Sequence, residues 1–398
     1  MDERTTISNR AVKNLVAFNV AERLKGVEEY YFSQKLREIE KLNKEGKKII
    51  NLGVGSPDLP PHDDVIKVLQ EESAKPSVHS YQSYKGSPVL RNAISEWYKK
   101  WYDVELNPDT EILPLIGSKE GIMHICMTYI NKGDKVLIPN PGYPTYRSAV
   151  KLAGGECIEY ILNERNLYYT DFNELEGQDL SGVKLMFVNY PHMPTGQLPT
   201  EKFFENIISF AKEHNILIVH DNPYSFILND IPMSLLSVEG AKDVAIEMNS
   251  LSKSHNMAGW RVGMLCGAQE RIDEVLRFKS NMDSGMFLPV QLAAASALSL
   301  TKSWFDDLND IYRQRRNKVF DLLQWLNCSF SKTQAGLFVW ARVPQDSDGY
   351  RLSDEVLYNS GVFITPGGIF GSAGNSYVRV SLCSDIKNIE EAIERVRK

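Results

Sequence analysis

Lys253 ends the run Asn249-Ser250-Leu251-Ser252-Lys253, directly after an apolar stretch, and Arg261 follows eight residues on in Gly259-Trp260-Arg261-Val262-Gly263. An amine held near a second cation in a partly desolvated place loses its proton more easily and can act as a nucleophile. Hydroxyls and a guanidinium at this spacing suit a phosphate-like anion, which arginine grips with a fork of N–H donors. The plainer alternative is a surface lysine and a structural arginine. Asp221 follows Ile216-Leu217-Ile218-Val219-His220 and leads into Asn222-Pro223-Tyr224. A carboxylate at the end of such a run, if buried, needs a positive partner, such as the protonated ring nitrogen of a bound cofactor. It could equally cap the turn that follows. Leu115-Ile116-Gly117-Ser118-Lys119 reads as a strand ending in Gly-Ser and opening a helix, which offers free backbone N–H groups to an anion. Tyr190-Pro191-His192-Met193-Pro194-Thr195-Gly196 is a rigid loop, and taken alone only a turn.

These segments need elements to hold them. Short apolar runs at Lys184–Asn189, Ile216–His220, Val244–Leu251 and Val262–Cys266 suit strands buried on both faces. Helical patterns, such as Glu201–His214 and Gln269–Met282, separate them. Alternation of this kind predicts an α/β sheet covered by helices, with ligands at the carboxyl ends of the strands. We expect a large domain over residues 62–290, and a smaller α+β domain from 20–61 with 291–398, preceded by an arm over 1–19. The smaller part includes a long helix over Ser303–Asn327 and a final helix over Asp385–Lys398.

Composition narrows the function classes. The chain has 398 residues, 43% hydrophobic and 24% charged, so it is a globular protein with ample chain for large cores. Its 45 basic and 51 acidic residues leave a net charge of −6, which argues against a nucleic-acid groove binder. Five scattered cysteines form no CxxC pair, so neither a disulfide framework nor a zinc site is expected, and a reducing cytoplasm fits. The acidic start MDERTTISNR does not read as a signal peptide, and no run of about 18 apolar residues occurs. Walker, GxGxxG, HExxH, GxSxG and EF-hand motifs are missing, and the seven histidines stand apart along the chain. No metal site is expected.

Taken together the segments resemble the fold-type I, class I/II pyridoxal-phosphate (PLP) aminotransferases. The resemblance runs from about Arg23 to the C-terminus through NLGVGSPD (51–58), YQSYKGSPVLR (81–91), GSKEG (117–121), NPGYP (140–144), YPHMPTG (190–196), DNPY (221–224), SLSK…R (250–261) and SYVRVS (376–381). It implies a large domain with a mostly parallel seven-stranded sheet, and a small α+β domain that closes over the substrate. It implies that Lys253 is the Schiff-base lysine and proton carrier, and that Asp221 keeps the pyridine nitrogen protonated. Tyr224 would bond the ring oxygen O3′, and Tyr143 would stack on the ring. Ser118, Lys119 through its backbone, Ser250 and Arg261 would hold the phosphate. Tyr81 would reach the phosphate of a neighbouring subunit, which implies a homodimer with shared sites. Arg379 would clamp the substrate α-carboxylate, assisted by the backbone of Gly55. Met193 departs from the family, which has Asn there to bond both O3′ and the carboxylate; His192, a water or Tyr224 alone would have to substitute.

The phrases GAKDVAIE…LSKSHNMAGWRVG (240–263) and NMDSGMF (281–287) lean towards the alanine and LL-diaminopimelate branch of the family. No arginine lies between Lys279 and Lys302 to pair a second carboxylate as in aspartate-specific relatives. The expected activity is ping-pong transfer of an amino group from an L-amino acid of alanine, glutamate or diaminopimelate type to a 2-oxo acid. Another PLP reaction on the same fold, a C–S or β-lyase, decarboxylase or synthase step, is the alternative. A PLP-binding transcription regulator would need an N-terminal DNA-binding domain. A non-catalytic scaffold would have little need of Lys253.

Overall fold

In the computed structural model, residues 18–398 are described. The N-terminal arm expected over 1–19 lies outside the described residues but for its last two. Twelve strands run in chain order among those residues: β1 Ile50–Asn51, β2 Ile112–Leu115, β3 Lys135–Asn140, β4 Glu156–Ile161, β5 Val183–Val188, β6 Leu217–Asp221, β7 Ala245–Ser250, β8 Gly263–Gly267, β9 Phe338–Arg342, β10 Val362–Phe363, β11 Thr365–Pro366 and β12 Tyr377–Ser381. Seven form the central sheet in the order β2-β8-β7-β6-β5-β3-β4. β8 runs antiparallel to both its neighbours and the other pairs are parallel. The apolar runs read from the sequence are these strands, shifted by a residue. All six residues of β7 are buried, as a sheet covered on both faces requires.

The helices between the strands carry their own start and stop signals. Glu201–His214 begins at Thr200, whose hydroxyl accepts from the Phe203 N–H at 3.1 Å. It ends at Asn215, which takes the left-handed conformation at φ +53°. Such a cap is worth about 1 kcal/mol. Its buried face (Phe203, Phe204, Ile207, Ile208, Ala211) repeats at three and four residues and lies against the sheet.

Two large cores flank the central sheet. A third surrounds the three-stranded sheet β11-β12-β9, where antiparallel pairing sets Arg379 opposite Trp340. β1 pairs in parallel with β10, so the segment after it is tied to this smaller sheet. The helix Lys302–Trp325 joins the two regions: Phe305 packs in the large core, and Leu308, Tyr312, Val319 and Leu323 pack in the small one. The large core reaches further along the chain than the expected limit at 290. The helix Leu288–Leu298 buries Ala293, Ala294 and Ala297 against the helices Asp63–Ser73 and Pro88–Tyr102. Gln291 also accepts from the Ser87 N–H at 2.6 Å. Small side chains let these helices approach closely, and an alanine-rich helix buried between others has no amphipathic period to mark which body owns it.

Candidate active site

Five of the chemistry-bearing segments leave the central sheet at one edge. β2 leads to Gly117-Ser118, β3 to Tyr143, and β5 to Asn189, while β6 ends on Asp221 and β7 on Ser250. These strands are mutually parallel, so their carboxyl ends share the edge where open α/β sheets bind ligands. A cavity of about 290 Å³ lies there. Ten of the eleven site residues expected from the sequence line it: Gly55, Ser118, Lys119, Tyr143, Asp221, Tyr224, Ser250, Lys253, Arg261 and Arg379. The eleventh, Tyr81, is 91% exposed and borders a separate surface hollow with Lys85, Asp273 and Arg277.

One part of the cavity is built for an anion. The helix Ser118–Tyr129 starts after β2 with no side chain capping it, so its first N–H groups are free and carry the positive end of the helix dipole. Gly117 enters that helix at φ +83°, and a Cβ there would lie 2.1 Å from Nη2 of Arg261. A Cβ on Gly263 would lie 2.7 Å from the Ser118 nitrogen. The two glycines therefore let the guanidinium and the helix start converge. The Ser250 hydroxyl donates to Ser252 Oγ at 2.9 Å, and Arg261 Nη1 donates to the same oxygen at 3.3 Å. Arg261 is held at φ +57°, a costly conformation for a residue with a Cβ, and its Nη1 also donates to the Ala258 carbonyl at 2.9 Å.

Asp221 is 4% exposed. Its Oδ2 accepts from the Tyr146 hydroxyl at 2.8 Å, while Oδ1 is buried with no partner. Burial pushes its carboxyl up to about 6, against the pull of the Tyr146 hydroxyl. A bare carboxylate oxygen on a cavity wall wants an N–H donor from whatever fills the cavity. The strand end is braced on both sides. Asn189 Nδ2 donates to the Asp221 carbonyl at 2.5 Å, and its Oδ1 accepts from the Met193 N–H at 2.8 Å. On the opposite face His220 Nδ1 meets Glu247 at 2.7 Å, and Glu247 also accepts from Tyr98, Ser234 and the Leu235 N–H.

Lys253 and Arg379 both donate to the segment that follows β1. Lys253 Nζ reaches the Gly55 carbonyl at 2.6 Å, and Arg379 Nη2 reaches the Gly53 carbonyl at 2.9 Å. Burial, with the cations of Arg379 and Arg261, holds the Lys253 amine below its ordinary value. Arg379 is 4% exposed, and the rings of Phe338, Phe370 and Phe32 surround its guanidinium carbon at 3.7, 4.6 and 5.5 Å. Its Nη1 meets the Met193 sulfur at 3.3 Å, and its Nε has no partner. Burial lowers its pKa to about 10, so it stays charged at neutral pH. A buried guanidinium that faces rings and a thioether in place of a carboxylate is a receptor for one.

Sequence reasoning missed Ser252, Tyr146 and Asn189, although each lies within or beside a motif it used. The spacing of Ser250 and Ser252 was a usable signal. Tyr30, Phe32, Phe338 and Phe370 also line the cavity, and nothing local marks them. His192 does not line it: its Nδ1 is engaged with the Thr195 hydroxyl at 2.8 Å. It therefore does not replace the missing Asn. Several histidines, apart along the chain, have carboxylate neighbours in space. His124, His220 and His62 each lie beside a carboxylate. His124 with Glu120 and Asp283, and His214 with Glu176 and Glu213, form compact groups. The first is already knit by Lys279 Nζ on Asp283 at 2.7 Å and the Ile116 N–H on Glu120 at 2.6 Å.

The family model described as aminotransferase class I and II matches residues 47–396. The chain belongs to the class I and II aminotransferases. Its relatives include the LL-diaminopimelate aminotransferase of Oleidesulfovibrio alaskensis, 41% identical over 96% of this chain and 99% of the relative. The LL-diaminopimelate aminotransferase of Halothermothrix orenii is 40% identical over 95% and 97%. Among solved structures, substrate-bound BacF from Bacillus subtilis superposes with a TM-score of 0.91, at 36% identity, covering 96% of this chain and 98% of that one. The aminotransferase is thus a PLP-dependent transferase of amino groups, and its central sheet is the α/β sheet of fold type I. The cavity fits PLP on its own terms. It holds an anion cradle of N–H, hydroxyl and guanidinium donors, a buried carboxylate oxygen awaiting an N–H, and an amine of lowered basicity.

Proposed function

We propose that the aminotransferase takes the amino group of an L-amino acid bearing a second carboxylate, LL-diaminopimelate or glutamate, and passes it to a 2-oxo acid. The observation that carries the amino-acid reading is Arg379, a buried guanidinium in the same cavity as Lys253 and Asp221. It grips the α-carboxylate, with the backbone at Gly55 beside it. Lys119 supports the second carboxylate. Its ammonium lies over the Tyr30 ring at 4.7 Å, on the cavity wall. The names of the relatives, LL-diaminopimelate aminotransferases, favour the same donor class.

When bound, PLP supplies an electron sink for the charge left at the substrate Cα. The chain does the rest. Lys253 holds the cofactor covalently and, once released, moves a proton at Cα. Asp221 keeps the pyridine nitrogen protonated. Tyr224 would donate to O3′, and Tyr143 would pack on the ring. Ser118, the Lys119 backbone, Ser250, Ser252 and Arg261 fix the phosphate. The part carrying β1 and β9–β12 closes over the substrate and excludes water.

A homodimer completes the site through Tyr81. Exposed Tyr81, Tyr84, Met282 and Phe287 on adjoining loops form the kind of apolar surface that a second copy covers. Free thiols at all five cysteines, and no helix among the described residues long and apolar enough to cross a membrane, are compatible with a cytoplasmic enzyme. The test is a panel of single amino acids mixed with the holoenzyme without an acceptor: L-alanine, L-glutamate, L-aspartate, LL-diaminopimelate, L-methionine and an aromatic. LL-diaminopimelate or glutamate should bleach the visible band fastest with release of a 2-oxo acid. A response confined to L-methionine and the aromatic would refute the second-carboxylate reading.

A further inference from the structure

Residue 193 borders the cavity, yet it offers the cofactor no hydrogen-bond donor. The Met193 thioether has no N–H or O–H, and its sulfur is turned to Arg379 Nη1 at 3.3 Å. Its backbone N–H is spent on Asn189 Oδ1 at 2.8 Å. One N–H of the Asn189 amide donates in turn to the Asp221 carbonyl. Residue 193 therefore presents packing surface to the cavity where an amide would present a donor. Tyr224, one of four phenols lining the cavity with Tyr30, Tyr143 and Tyr146, is the one assigned above to O3′.

Resting on the assignment of Lys253 and Tyr224 above, we infer that Met193 leaves O3′ one side-chain donor short, so that the nitrogen joining Lys253 to the cofactor keeps its proton to a higher pH than it would beside an amide at 193. The reason is elementary. O3′ and that nitrogen share one proton. A donor to O3′ stabilises the oxygen as an anion and favours loss of the proton from nitrogen, and removal of the donor does the reverse. The other titratable and charged groups facing Lys253 are Asp221 from β6, Arg261 before β8, Arg379 from β12 and Cys383 after it, with the phenols Tyr143 and Tyr224. Of these, Arg379 touches residue 193 through the Met193 sulfur, and Met193→Leu reports the loss of that contact alone. Met193 is in this sense a positioning residue that sets the proton balance of the site without touching the proton.

The test is a pH titration of the visible absorption of the holoenzyme. Met193→Asn, or Met193→Gln where the shorter amide fails to retain cofactor, should lower the midpoint by about one pH unit, the size expected for one hydrogen bond to a charged oxygen. Met193→Leu, which keeps the packing and adds no donor, should leave the midpoint in place. An unmoved midpoint in the amide variants, or an equal shift in Met193→Leu, would overturn the inference. A visible band that persists in Lys253→Ala would overturn it by a separate route, by removing the lysine assignment beneath it.

Discussion

Replacing Arg379 by lysine asks how much of the substrate affinity a forked cation supplies. The guanidinium sits in a cage of Phe32, Phe338 and Phe370, with Nη2 anchored on the Gly53 carbonyl and Nη1 against a sulfur that is a weak acceptor. An incoming α-carboxylate exchanges that sulfur for a charge-assisted bond and gains a second one to the orphaned Nε or to Nη2. A charged hydrogen bond contributes about 1.5–3 kcal/mol. Lysine retains the charge and at most one of the two bonds. Arg379→Lys should therefore lose about 2 kcal/mol of transition-state binding, on the order of thirtyfold in kcat/KM. Arg379→Ala should lose about twice that, with the added cost of a hole among three rings. Steady-state kinetics on the preferred donor measure the loss. A simple alkylamine separates clamp from scaffold: lacking a carboxylate, it should react equally slowly with wild type and Arg379→Lys. Equal kcat/KM for wild type and Arg379→Lys on the amino acid would refute the clamp. A matching loss on the amine would show that the mutation had damaged the site at large.

Lys253→Ala should abolish multiple turnover and the visible band, and retained turnover would sink the assignment. Asp221 titrates from about 6 in the folded protein against the usual 3.8, so it favours the folded state when protonated. That contribution is whole below about pH 4 and is lost as the pH rises through about 6, at most about 3 kcal/mol. Denaturant titrations of cofactor-free protein should thus show Asp221→Asn gaining on wild type between pH 4 and 7, and a constant difference would contradict the burial argument. Gly117→Ala puts a Cβ 2.1 Å from Arg261 Nη2 at a φ of +83°, so it should weaken cofactor retention at least tenfold by equilibrium dialysis, with the fold intact by circular dichroism.

What the sequence determined by itself was local. Apolar runs of five to eight residues announced β5 to β8 to within a residue or so, because a strand buried on both faces must be apolar throughout. Asp221 and Lys253 were legible for the same reason, since a polar residue just after such a run falls at the sheet edge. The spacing of Arg261 from Lys253 pointed to an anion, and the family motifs then supplied Tyr224 and Arg379. Contacts between distant segments were the business of tertiary structure. Tyr146 bonds Asp221 from 75 residues away, and Arg379 meets Met193 from 186 residues away. Neither pairing leaves a trace in the periodicity of either segment. The extent of the large core past residue 290 was hidden likewise, because the burial of an alanine-rich helix is decided by the helices Asp63–Ser73 and Pro88–Tyr102 that close around it. Side-chain chemistry and strand ends can be read one segment at a time, whereas who faces whom across the cavity depends on how the sheet order β2-β8-β7-β6-β5-β3-β4 folds those segments together.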